Sequence, residues 1–163
     1  GPAGAGKSSV SKALAKKFER SAVIDVDNLR NMIVGGYVRP WPHNQDVEAQ
    51  MSLAAQNACI LTNNFIAQGY NVIIDDVIGR KLFNQYTEFF SDKGIQVFLL
   101  LSSLESLLSR FDNRGADDAL RKRTHELHER FTSKKDELPW HVIDSSNHTL
   151  EETTEKIFSE LTK

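Results

Sequence analysis

The sequence predicts an α/β fold, a three-layer sandwich built on a parallel sheet. Three observations predict it. The chain opens on Gly1-Pro2-Ala3-Gly4-Ala5-Gly6-Lys7-Ser8, which fits the phosphate-binding pattern G-x-x-x-x-G-K-[ST]. Apolar runs of strand length then alternate with helical stretches, as in parallel sheets covered on both faces. The apolar runs end in polar groups: Asp25 and Asp27, Asp75 and Asp76, Ser102 and Ser103, Asp144 and Ser145. Such sheets bind ligands at the carboxyl ends of their strands, so these side chains should gather at the site.

A length of 163 residues suits one domain, 1–163, with a full-sized core. The chain is 40% hydrophobic and 26% charged, with a net charge of -2. That balance argues against a broad nucleic-acid surface or an anionic-membrane anchor. A single cysteine, Cys59, excludes an internal disulfide framework and fits a reducing, cytoplasmic setting. No apolar run is long enough to span a membrane.

The first eight residues carry the clearest chemistry. A triphosphate needs many donors and little steric bulk. Glycines let the backbone approach the phosphates closely and turn where other residues cannot. Within the nucleotide-binding stretch Gly1–Ser9, the amides from about Ala3 to Ser8 should form a nest for anionic oxygens, with Lys7 as a point charge and the Ser8 hydroxyl placed for Mg²⁺ accompanying ATP. Val10, Ala13, Leu14 and Phe18 then predict a helix from about Lys7 to Arg20, its N-terminus facing the anion. Such a loop normally follows a buried strand, so a further apolar strand is expected ahead of Gly1.

The remaining elements follow in order. Residues 21–27 predict a strand, and residues 28–34 a short helix capped by Asp27 and stopped by Gly35-Gly36. Residues 35–44 form a loop with two prolines and two aromatics, Tyr37 and Trp41. Val47, Met51, Ala54, Ala58, Leu61 and Phe65 mark one face of a long helix over about 45–68, ended by Gly69. Cys59 lies beside that stripe as a small core residue. Strands are predicted over 71–77, 95–101 and 141–144. Helices are predicted over about 81–92, from Ser102 or Ser103 to Phe111, over 117–135, and over 150–161 with Thr149 as cap. His125, His128 and Glu129 have helical spacing, but the charges around them read as a solvated face.

The carboxylates differ in their prospects. Asp75 ends an apolar strand, Val72-Ile73-Ile74, and is the candidate for the metal. Asp76 points the other way on the strand, toward the acceptor or a turn. Asp27 could take a proton from an acceptor hydroxyl. Arg30, one helical turn on, would suit an anionic or polar group on the acceptor. Tyr37 and Trp41 could wall an acceptor pocket. Arg110 and Arg114 bracket a polar stretch, about 110–118, that could close as a cationic lid.

Together the Gly1–Ser8 loop, the Asp25-x-Asp27-x-x-Arg30 segment, the Ile73-Ile74-Asp75-Asp76 strand and Arg110-x-x-x-Arg114 resemble the P-loop small kinases. Within them the chain looks most like the branch of chloramphenicol phosphotransferase, zeta toxins and polynucleotide 5′-kinases. The resemblance implies a nucleotide-kinase-like P-loop NTPase fold. It implies transfer of the γ-phosphate of ATP to a hydroxyl of a small molecule. It also implies that Asp27 is the general base and that Arg110 or Arg114 covers the phosphates. A polynucleotide 5′-hydroxyl kinase and a nucleotide-hydrolysing switch are the alternatives.

Overall fold

The computed structural model describes residues 1–112 and 118–162. Strands and helices alternate through them as α1 (Lys7–Ala15), β1 (Ser21–Asp25), α2 (Val26–Asn31), α3 (Gln45–Ala67), β2 (Asn71–Asp75), α4 (Arg80–Phe89), β3 (Phe98–Leu101), α5 (Leu104–Asp112), α6 (Asp118–Ser133), β4 (His141–Asp144) and α7 (Leu150–Leu161). The strand pairs are parallel. β1 lies beside β2 with Asp25 opposite Asp75, and β3 lies beside β4 with Leu101 opposite Asp144. Parallel pairing requires a long return connection, and α3 supplies one within the first pair. No helix among the described residues is long and apolar enough to cross a membrane.

The chain divides into two compact units. One is Phe18–Ile95; the other joins Gly1–Lys17 to Gln96–Lys163. In the first, Ile24, Val26, Leu82, Tyr86 and Phe90 pack against Ala54, Ala55, Ala58 and Cys59 of α3. The small α3 residues let that helix sit close to the sheet. Burial of this kind contributes about 1.5–3 kcal/mol for each large apolar side chain. Cys59 is fully buried, and burial pushes its thiol up to about 11. It is a core residue, as the sequence predicts.

In the second unit α1 packs on α7, and α6 turns Thr124, Leu127 and Phe131 inward, toward a core that also holds Leu99, Leu107, Ile143 and Ile157. The predicted capping of α7 is present in full. Thr149 accepts from the Glu152 amide, and the Glu152 carboxylate accepts from the Thr149 amide at 2.8 Å. The strand-end serines Ser102 and Ser145 turn inward as well, while Ser103 stays exposed. Ser102 and Ser145 share a hydroxyl–hydroxyl bond of 2.8 Å across β3 and β4, and Ser103 takes up the Ser106 amide at the start of α5.

Several boundaries differ from the sequence reading. α1 stops at Ala15 because nothing beyond it is buried; Lys16 and Lys17 face water, and Phe18 lies outside the helix. β1 ends at Asp25, two residues earlier than predicted. The Asp25 carboxylate accepts from the amides of Asp27 at 3.1 Å and Asn28 at 3.3 Å, so Asp25 and not Asp27 caps α2. β2 likewise ends at Asp75, because Asp76 folds back onto the Val77 amide at 2.6 Å. β3 starts at Phe98, three residues late. α3 ends in a Schellman motif: Gly69 sits at φ 77°, the Tyr70 amide reaches the Phe65 carbonyl, and the two rings meet edge to face at 5.7 Å. The buried face of its second half runs through Cys59 and Thr62, with Phe65 more than a third exposed.

Candidate active site

The phosphate loop is shaped by its backbone. Gly1 lies so close to β3 that a Cβ there would stand 2.1 Å from the Leu100 carbonyl oxygen. No other residue fits. Gly4 and Gly6 take φ 79° and 87°, the left-handed region closed to most side chains. Pro2 and Ala5 are buried, which anchors the loop from below. Gly6 is the N-cap of α1, and no side chain caps that helix. Its first-turn amides and the positive end of its dipole therefore suit an anion. Lys7 donates to the Pro2 carbonyl at 3.1 Å across the loop, and Ser8 and Ser9 are exposed in the first turn.

The other unit carries a cluster made of side chains. Asp27, in the first turn of α2, is 68% exposed and pairs at 3.1 Å with Arg30 Nη2. Arg30 itself is buried, its Nε has no hydrogen-bond partner among the described residues, and its guanidinium lies 6.0 Å from the Tyr37 ring. The sequence expectation that Asp27 and Arg30 share a side of one helical turn is met. Asp76 uses both oxygens inside the protein, one on the Val77 amide and the other on the Tyr86 hydroxyl at 2.8 Å. Burial pushes the Asp76 carboxyl above its usual range and the nearby charge of Asp27 adds to this, while the Tyr86 and Val77 hydrogen bonds oppose it. Burial and the Asp76 charge push the Tyr86 phenol up in turn. Asp75, at the end of β2, is buried.

The 35–44 loop is tied to α3. Gln50 accepts from the Val38 amide at 3.1 Å and donates to the Gly36 carbonyl at 2.7 Å. At the far end His43 and Lys81 both reach Glu48, and Asn44 caps α3 through the Val47 amide. Trp41 is half-buried. Gln50 and Tyr86 are the two residues that pattern reading misses. Both sit at ordinary positions of amphipathic helices, and only the fold shows what they touch. The Arg110 side chain and all of Arg114 lie outside the described residues, as does most of the predicted lid.

The donor chemistry fits Mg²⁺. Ser8 offers a hydroxyl and Asp75 a carboxylate, both hard oxygen ligands. No group of three or more His, Cys, Asp or Glu residues among those described could hold a metal ion by itself. Mg²⁺ on a phosphate chain needs no such cage, since phosphate and water supply most of its shell.

The AAA domain family matches residues 1–133. No curated protein matches the sequence. Among solved structures, shikimate kinase from Acinetobacter baumannii in complex with shikimate is similar at TM-score 0.66 and 18% identity, over 99% of this chain and 89% of that one. Thymidylate kinase from Candida albicans is similar at TM-score 0.62 and 15% identity, over 98% and 87%. Deoxyadenosine kinase from M. mycoides with bound dCTP is similar at TM-score 0.52 and 17% identity, over 98% and 94%. At such identities the likeness shows the fold: an α/β, P-loop kinase-like fold with parallel strands.

Proposed function

The chain belongs to the AAA domain family, and from that premise we propose that it is an ATP-dependent phosphotransferase acting on a hydroxyl of a small molecule. The single observation that carries the reading is the Gly1–Ser9 loop. Two left-handed glycines lead into a helix that no side chain caps. That arrangement suits a chain of phosphates better than any uncharged ligand. The choice of a small hydroxyl-bearing acceptor rests on the resemblance to small-molecule kinases, on the kinase-like fold and on an acidic net charge.

In this reading the loop amides and Lys7 bind the β- and γ-phosphates. Mg²⁺, held by Ser8 and Asp75, would neutralise phosphate charge when bound. Asp27 accepts the proton of the acceptor hydroxyl as its oxygen forms the new bond to phosphorus. The bond from the γ-phosphorus to the bridging oxygen breaks, and ADP leaves. Arg30 holds Asp27 in place by the ion pair at 3.1 Å. Arg30, Tyr37, Trp41 and Asp76 form the acceptor side, and Arg110 and Arg114 close over the phosphates. Positioning and charge neutralisation supply most of the acceleration in such transfers.

The test is ATP consumption with and without acceptor. Turnover by the chain alone should be very slow and should rise with one member of a hydroxyl-bearing metabolite library. Stimulation by single-stranded oligonucleotide instead would move the reading to a polynucleotide 5′-kinase. Fast, acceptor-independent hydrolysis would replace it with a nucleotide-hydrolysing switch.

A further inference from the structure

The long helix α3 has two faces of different kind. The inward face is small and apolar. The outward face is formed by Leu53, Gln56, Asn57, Ile60, Asn64 and Ala67, all exposed, which fall within an arc of about 100° at helical spacing. Leu53 is 47% exposed and Ile60 54%. No Asp, Glu, Lys or Arg occurs between Ala49 and Ile74, although 26% of the chain is charged. A solvated helix face ordinarily carries charge. The charges of α3 are confined to its first turn, at Asp46 and Glu48.

We propose that this face is the interface of a two-fold dimer of the chain, its two copies of α3 running antiparallel about an axis at Ile60. The occupant follows from charge and from pattern. A face without charge is poorly matched to a charged partner, whose groups would lose water without gaining a counter-ion. A membrane surface would call for basic residues around the apolar positions, and this face has none. Its own copy meets both demands. About an axis at Ile60, Leu53 faces Ala67, so a large side chain meets a small one. Asn64 faces Gln56, so an amide meets an amide. Two-fold interfaces are self-complementary in this way. The dimer is independent of the proposed phosphotransfer, since none of these residues belongs to the candidate site.

The test is sedimentation velocity over a micromolar concentration series, joined to disulfide cross-linking. The wild-type chain should dimerise with rising concentration. Ile60→Glu should stay monomeric with an unchanged circular dichroism spectrum, because the position faces water in the single chain. Ile60→Cys should oxidise to a covalent dimer, its two copies meeting at the axis. Leu53→Cys should not, because its copies would stand about 21 Å apart along the helices. Cys59, buried and with its thiol pushed up to about 11, does not compete. A wild-type chain that stays monomeric throughout overturns the proposal and leaves the face to a different partner. A dimer indifferent to Ile60→Glu overturns it too, as does cross-linking at Leu53→Cys as fast as at Ile60→Cys. Should Ile60→Glu lose its fold, the two cysteine variants still decide.

Discussion

The phosphate loop and the carboxylate cluster solve opposite problems with opposite materials. The loop is almost without side chains. Its shape comes from Gly1 against the Leu100 carbonyl, from Gly4 and Gly6 in left-handed backbone, and from an uncapped helix start. The cluster is nothing but side chains: Asp25 on two amides, Asp27 on Arg30, Asp76 on Tyr86. A backbone site recognises what all nucleoside triphosphates share. A side-chain site can be changed one residue at a time, which suits the acceptor role proposed for the cluster. The comparison predicts that damage to the two regions separates cleanly, one in nucleotide binding and the other in turnover.

The largest effect should come from Lys7→Ala. On the proposed mechanism, removing the Lys7 cation should cut kcat/KM at least ~10³-fold. Steady-state assay checks it, with circular dichroism to show that α1 still forms. Next comes Asp27→Asn, expected to lower kcat by about 10²- to 10⁴-fold as general-base help is lost. Because Asp25 does the capping, Asp27→Asn should keep the α2 cap and lose only the ion pair to the buried Arg30, lowering the melting temperature. Asp25→Ala should cost about 1 kcal/mol of stability. Turnover of the two variants side by side separates cap from base, and a crippled Asp25→Asn with an active Asp27→Asn would reverse their roles.

A smaller effect is expected at Tyr86. Its hydroxyl donates to a carboxylate, and Tyr86→Phe should cost about 1.5–3 kcal/mol at neutral pH. The sign with pH follows from Asp76. Burial raises the Asp76 carboxyl in the folded protein, and the Tyr86 hydrogen bond favours its ionised form. The stabilisation is therefore present at neutral pH and fades as pH falls through the raised folded value toward the ordinary carboxylate range. Denaturation of wild type and Tyr86→Phe between pH 7 and pH 4 should show the gap narrowing. A gap that widens on acidification would mean that the tyrosine does not serve the ionised carboxylate. The smallest change is Trp41→Ala, which should raise the acceptor KM by about tenfold with kcat and ATP binding held, measured once an acceptor is in hand. Lost stability with an unchanged KM would make Trp41 a packing residue of the loop.

What the sequence shows and hides follows the same division. The Gly1–Ser8 loop, the Thr149 cap of α7 and the extent of β4 are local, written in adjacent residues, and all are legible before any fold is known. The carboxylate cluster is legible only as candidates. Two residues of strand length at Asp25 decide which aspartate caps α2 and which pairs with Arg30. Nothing in the spacing could reveal that, because Asp25 and Asp27 are both good caps. Tyr86 and Gln50 act across gaps of 10 and 12 residues, to Asp76 and Val38, inside helices whose patterns look ordinary. The second half of α3 departs from the expected stripe at Phe65 for a related reason: Cys59 and Thr62 are small enough to be buried where Phe65 is not.

The most direct test of this division is the dissociation constant of Mg·ATP, by titration calorimetry, for wild type, Lys7→Ala and Asp27→Asn. The backbone loop with its cation should carry nucleotide binding without help from Asp27. Lys7→Ala should therefore weaken ATP by about tenfold or more, one lost charge-assisted contact. Asp27→Asn should bind ATP as wild type does, or slightly tighter with one negative charge gone. An Asp27→Asn variant that loses ATP as severely as Lys7→Ala would contradict the account, because the carboxylate would then belong to the nucleotide site and not to the acceptor's.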